Sequence, residues 1–190
     1  MKKLKHLTKI QSGIFAQTGL WEDVIYLQAK YFDDNGNLSK LVKPDLKLDN
    51  RIIKYLLREG DILFAGKGTK NFAVLYRETM GPAIASTTFL VIRMENQKKL
   101  KPEFLTWWLN HPKSQLYFKT HAKGSSTPLI SKKVLGELEV PVPTLKKQAI
   151  IGEVQRLWQR KEEIESRITQ LEEKITQHQL FMATQKDHSS

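Results

Sequence analysis

The chain contains no cysteine, so it can form no disulfide and build no zinc–thiolate site, and the absence fits a reducing, cytoplasmic setting. It has no long apolar run that would span a membrane as a helix, and no membrane partner is expected. The residues from Met1 to Lys9 are basic, but no apolar stretch follows them, so a secretory signal peptide is not expected either. Signals of catalysis are equally scarce. His6, His111, His121, His178 and His188 are scattered, and none stands beside another histidine or a carboxylate at ligand spacing. There is no Gly-x-Ser-x-Gly elbow. Pro44-Asp45 opens like a metal-dependent nuclease motif that no later Glu-x-Lys or Asp-x-Lys completes, and the glycine-rich and Asn/Asp-Pro-Pro-aromatic motifs of DNA methyltransferases are missing. Gly66-Lys67-Gly68-Thr69 is a fragment of a phosphate loop, with Asp61 in place of the first glycine and Gly68 in place of the Ser or Thr. These absences predict a non-catalytic chain that binds no metal and no cofactor.

What is present begins with charge. The net charge is +11, and it is unevenly placed: residues 144–190 hold eight Lys/Arg against seven Asp/Glu, which leaves 23 against 13 in residues 1–143. A basic domain of this kind attracts polyanions through long-range, salt-dependent steering.

The last forty residues carry a heptad pattern. Val154, Lys161, Ile168, Ile175 and Met182 occupy one set of positions, a, and Leu157, Ile164, Leu171 and His178 the other, d. A strict period of about 3.5 residues makes a narrow seam that another helix must cover. No second stretch of the chain has a comparable period, so the covering helix is expected on another molecule. Pro141 and Pro143 mark the boundary upstream, because neither can sit inside a helix. Thr144 is placed to cap the helix that follows. The expected organisation is a DNA-binding domain over 1–143, a dimerisation and spacer helix over 144–185, about 60 Å long at ~1.5 Å per residue, and a disordered tail over 186–190.

The first 143 residues read as α+β. Strands are expected at 24–27, 61–65, 71–76, 83–93 and 138–142, with a hairpin-type reversal around Asn35-Gly36. Helices are expected at 102–109, with Pro102 in the first turn, at 114–121, and as a short turn from Lys132. Basic and hydroxyl-bearing residues supply the candidate DNA contacts. Lys67 and Lys70 flank a glycine turn. Lys119, Lys123, Lys132 and Lys133 bracket a hydroxyl-rich loop containing Ser125, Ser126 and Thr127, suited to phosphate oxygens and base edges. Arg77 and Arg93 carry the guanidinium fork that reads guanine bidentately. Of Trp107 and Trp108, one is expected in the core and the other half-buried.

Taken together, these segments resemble one half of the specificity subunit of a type I restriction-modification system. The resemblance is carried by Leu7 to Gly13, Gly60 to Gly68, Leu100 to Leu109, and most specifically by Ala122 to Pro143 followed by Gln148 and the heptads. It implies a non-catalytic target recognition domain joined to a helix that pairs antiparallel with a second helix. It also implies double-stranded DNA as ligand, methyltransferase subunits that bring S-adenosylmethionine, and restriction/translocase subunits as further partners. Members of the family usually join two recognition domains and two helices in one polypeptide. Only one of each is present here, and Lys147 stands before Gln148 where the family commonly has glutamate. A twofold homodimer would restore the arrangement.

The polar seam residues predict the direction of pairing. Parallel in-register helices would oppose Lys161 to Lys161 and His178 to His178, a costly core layer. In an antiparallel pair centred between Thr169 and Gln170, Ile168 meets Leu171, Ile164 meets Ile175, Leu157 meets Met182, and Lys161 meets His178. Two competing expectations are a non-sequence-reading regulator that pairs with a full-length specificity subunit through its helix, and an enzyme with an unrecognised nuclease site.

Overall fold

The structure is a computed structural model that describes residues 1–19, 23–33, 36, 38, 42–68, 70–95, 98–124 and 127–186, the last two of them by backbone only. Eight strands and four α-helices follow one another among these residues. The strands are β1 (Lys2–Lys3), β2 (Thr8–Ser12), β3 (Ile25–Leu27), β4 (Ile62–Ala65), β5 (Ala73–Leu75), β6 (Ala83–Ala85), β7 (Phe89–Met94) and β8 (Glu139–Val140). The helices are α1 (Pro102–Asn110), α2 (Pro112–His121), α3 (Lys132–Glu137) and α4 (Leu145–Lys186). The chain divides into two compact units, Met1–Ile151 and Gly152–Ser190.

The first unit is built on an antiparallel sheet ordered β2-β7-β4-β5. β4 is buried along its whole length, and its alternation sends side chains into two separate cores. Ile62 and Phe64 join Ile10, Ile92, Phe104, Leu105, Leu109 and Phe118 under the helices. Leu63 and Ala65 join Phe32, Phe72, Phe89 and Val91 on the opposite face, where Phe89 packs edge-on against both Phe32 and Phe72. A short parallel pair of β3 and β6 contributes to that second core.

The expected strand at 83–93 is two strands in two sheets. β6 pairs with β3, whereas β7 pairs with β2 and β4. The break falls at Ser86-Thr87-Thr88, where the Ser86 and Thr88 hydroxyls lie 2.7 Å apart and the Phe89 N–H turns back onto the Ser86 carbonyl at 3.0 Å. Hydroxyl side chains there offer the backbone an alternative to the ladder. Gly13 passes so close that an added Cβ would lie 2.0 Å from the Ser86 carbonyl oxygen. β1 and β2 have no expected counterpart. The reversal around Asn35-Gly36 lies largely outside the described residues, but Phe32 and Leu38 bridge antiparallel on either side of it, with Gly36 at φ +80°.

The helices lie within two residues of where the sequence places them. α1 carries Pro102 in its first turn and stops at Asn110, whose amide both accepts from the Ala73 N–H (2.7 Å) and donates to the Ala73 carbonyl (2.8 Å), capping the edge strand β5. α2 starts two residues earlier than expected, again on a proline. Trp108 is buried and donates its indole N–H to the Glu139 carbonyl at 3.0 Å, while Trp107 is half-buried. β8 pairs with β1, and the chain then passes Pro141 and Pro143 into α4. Gln148 holds this start in place. Fully buried, it accepts from the Lys101 N–H (2.8 Å) and donates to the carbonyls of Lys99 (3.0 Å) and Pro143 (2.8 Å).

Candidate nucleic-acid interface

β4 ends at Ala65 in the turn Gly66-Lys67-Gly68, and a second loop, leaving α2 at Ala122, closes against it. The Ile130 N–H donates to the Gly66 carbonyl (2.8 Å), and the Gly68 N–H to the Pro128 carbonyl (3.0 Å). Lys123 and Leu129 exchange a reciprocal pair of backbone bonds at 3.1 and 2.8 Å. The result is a three-segment antiparallel ladder in which Lys67 lies opposite Leu129 and Leu129 opposite Lys123. Glycine makes this possible, since Gly68 and Gly124 sit at φ +113° and +99°, where other residues are strained. Lys67, Lys123 and Thr127 are all exposed on the two loops. Ser125, Ser126 and Thr69 lie outside the described residues.

The remaining lysine candidates are distributed around this ladder in sequence. Lys70 is exposed just after the glycine turn, and Lys119 lies in the last turn of α2. Lys132 and Lys133 are exposed in the first turn of α3, which Ser131 caps by accepting the Val134 N–H at 3.2 Å. The two arginines are elsewhere. Arg93 pairs with Asp61 at the far end of β4 from Lys67, roughly 20 Å away at ~3.3 Å per residue. Its Nε and Nη2 bind the two Asp61 carboxylate oxygens at 2.8 and 2.5 Å, and Asp61 also accepts the Arg58 N–H at 2.9 Å. Those bonds hold the Arg93 guanidinium above its ordinary pKa. Arg77 reaches Glu59 at 2.8 Å and Glu103 at 3.0 Å. Both forks are therefore occupied by carboxylates, and the ladder brings together lysines rather than arginines. Residue types alone do not reveal this, because the pairing acids are remote in the chain.

The second unit is a continuous helix with the seam residues on its surface. Val154, Leu157, Ile164, Ile168, Leu171, Ile175 and Met182 are between 43% and 57% exposed. Lys161 turns aside from the seam, with its ammonium 2.8 Å from Glu165 and 5.2 Å from the centre of the Trp158 ring. His178 is exposed in line with its neighbours. Trp158 and Phe181, at e and g, add apolar surface beside the heptad positions, whereas Leu180, at f, is exposed on the outer face.

Among the described residues, no three His, Cys, Asp or Glu side chains are grouped to hold a metal ion, and no helix is long and apolar enough to cross a membrane. The described residues thus present a lysine-bearing loop pair on an α+β domain, followed by a long helix with an exposed apolar stripe. Over residues 22–174 the chain matches the family described as the type I restriction modification DNA specificity domain. It belongs to that family, which is defined by DNA specificity and not by catalysis. Solved structures agree in fold. The type I restriction-modification S subunit from M. genitalium superposes with a TM-score of 0.61 at 14% identity, covering 85% of this chain and 39% of that one. The HsdS subunit from Thermoanaerobacter tengcongensis gives 0.61 at 20% identity, covering 86% and 43%. A structure reported for complex assembly and conformational transition of the type I R-M system gives 0.62 at 20% identity, again covering 86% and 43%. The chain thus spans about two-fifths of the length of these relatives. No curated protein matches it.

Proposed function

We propose that this chain is the sequence-reading module of a type I restriction-modification system and that it acts as an antiparallel homodimer. Two copies pair through α4, each carrying its recognition domain at the amino-terminal start of its helix. Antiparallel pairing then sets the two domains at opposite ends of the helical pair, which reads an inverted repeat with a central spacer. The dimer docks methyltransferase subunits, which supply S-adenosylmethionine, and restriction/translocase subunits. This chain contributes recognition and spacing and carries out no bond-making step.

The observation that carries the proposal is the exposed a/d stripe of α4. Large apolar side chains at this period gain on the order of 25 cal/mol per Å2 when a matching helix covers them. The Lys67 and Lys123 ladder supports the DNA half of the reading, because exposed lysines on paired loops, with no carboxylate partner among the described residues, are suited to phosphate contacts. The test combines solution mass with binding-site selection. A 22.0 kDa chain is expected to sediment at twice that mass and to select an inverted repeat. A monomer, or selection of a single asymmetric half-site, contradicts the proposal. A chain that binds DNA without sequence preference but captures a full-length specificity subunit instead fits the regulator reading.

A further inference from the structure

The Lys67–Leu129–Lys123 ladder has a geometry that goes beyond general affinity for phosphate. In the Lys67–Leu129 pairing the backbone bonds run through the flanking residues, Gly66, Gly68, Pro128 and Ile130. That is the non-hydrogen-bonded type of antiparallel pair, with Cα atoms about 4.5 Å apart and side chains close together. The Lys123–Leu129 pairing is the reciprocal, hydrogen-bonded type, with Cα atoms about 5.5 Å apart. Directly opposed residues project from the same face of a ladder. All three side chains therefore stand on one face in the order lysine, leucine, lysine, and all three are exposed.

The scale of this row fits duplex DNA. The two lysine Cα atoms are about 10 Å apart across the ladder, and their flexible stems can spread outward from there. The major groove of B-DNA is about 12 Å wide between its backbones, whereas the minor groove is about 6 Å wide. Two ammonium groups can therefore reach the opposing backbones of a major groove while the residue between them points at the base edges. That residue is apolar. Leu129 is 40% exposed although its neighbour Ile130 is buried. An isolated surface leucine would need no explanation. This one is centred between two cations that have no carboxylate partner among the described residues. Its backbone is fixed on both sides by the ladder. Beside it Gly68 leaves the surface bare, with nothing within 4 Å of where its Cβ would be. The only apolar feature on a base edge in the major groove is the thymine methyl group.

We propose that Leu129 is a specificity-determining residue that reads a thymine methyl in the major groove while Lys67 and Lys123 hold the phosphates on either side. The inference rests on the DNA-recognition reading above, and the experiment separates the two. The full chain is used to select binding sites from a random duplex pool, and each selected thymine is then replaced by uracil, which removes only the methyl. With the natural chain, one such replacement per half-site is expected to weaken binding roughly fourfold, the worth of one buried methyl group. Leu129→Ala is expected to lose that sensitivity while keeping the salt dependence of binding. Leu129→Met, which keeps an apolar tip of similar volume, is expected to retain the sensitivity, so that loss in the alanine variant is not mistaken for misfolding. The pair K67A/K123A is expected to weaken binding to every sequence and to reduce the slope of log affinity against log salt by about 2. A natural chain that selects a consensus but responds to no uracil replacement, or an L129A chain that keeps the full response, overturns the assignment of Leu129 and leaves the recognition reading standing. A natural chain that selects no consensus overturns both.

Discussion

Gln148 illustrates how much one side chain can carry. Its amide is completely buried and completely satisfied, with one acceptor and two donor bonds to the backbone of the domain. Leaving buried backbone groups without partners costs about 1–3 kcal/mol for each group. Gln148→Ala is therefore expected to destabilise the chain by about 2–4 kcal/mol, read as a lower midpoint in urea denaturation, whereas substitution of an exposed neighbour such as Lys147 leaves the midpoint unchanged. Glu137 makes the opposite kind of contribution. It sits at the surface between Lys3 (2.7 Å) and Lys5 (2.5 Å), and hydrogen bonds from the two ammonium groups hold its carboxyl down to about 2, below its ordinary value of 4.5. A depressed carboxylate stabilises the fold above its unfolded pKa and loses that contribution as pH falls through the folded one. The difference in melting temperature between the natural chain and Glu137→Gln is accordingly expected to be full above pH 4.5 and to shrink towards pH 2. A constant difference across that range would contradict the assignment.

Among the elements, α4 carries the exposed apolar stripe on which the proposed pairing rests, and β4 lies between the two cores. The proposed antiparallel register would place Leu157 beside Met182 of a second copy, and would set the two copies of Leu157 about 37 Å apart along the helices at ~1.5 Å per residue. A mixture of L157C and M182C chains is expected to form a disulfide-linked heterodimer under mild oxidation, and L157C alone to form none. Efficient L157C homodimers would establish a parallel pair. Lys161 leans towards Glu165 and Trp158 within its own helix and so keeps its charge at the edge of the seam. Within the sheet, the alternation of β4 assigns Ile62 and Phe64 to one core and Leu63 and Ala65 to the other. A run of four apolar residues says that this strand is buried on both faces. It does not say what covers each face.

At the scale of the whole molecule, the charge excess in residues 1–143 describes an attraction to polyanions but not where it acts. The structure divides the candidates between the two ends of β4. Arg77 and Arg93 sit in ion pairs with Glu59, Glu103 and Asp61 at one end, and the loop ladder with Lys67 and Lys123 sits at the other. Much of the fold is legible in advance. The glycine-bounded strand at 62–65, the proline-started helix at 102–110 and the helix after Pro143 lie close to their expected positions. β2 is not legible, because Thr8-Lys-Ile-Gln-Ser offers one apolar side chain and its burial depends on a neighbour, β7, from much later in the chain. The break at Ser86-Thr87-Thr88 is missed because a continuous β-rich run does not show that its halves pair with different strands.

The sequence by itself determined the long helix and its apolar seam, the proline boundary before it, the lack of metal-binding and nucleophile motifs and the basic character of the first 143 residues. These are local or additive properties: periodicity, backbone restriction and charge depend on a residue and its near neighbours. Only the tertiary structure decided which basic residues lie together. Arg93 is captured by Asp61, thirty-two positions away, and Leu129 is drawn between two lysines by loops that meet only once the sheet and α2 are formed. Such contacts require distant loops to close on one another, and the closure is settled by packing in the core rather than by the composition of the loops themselves.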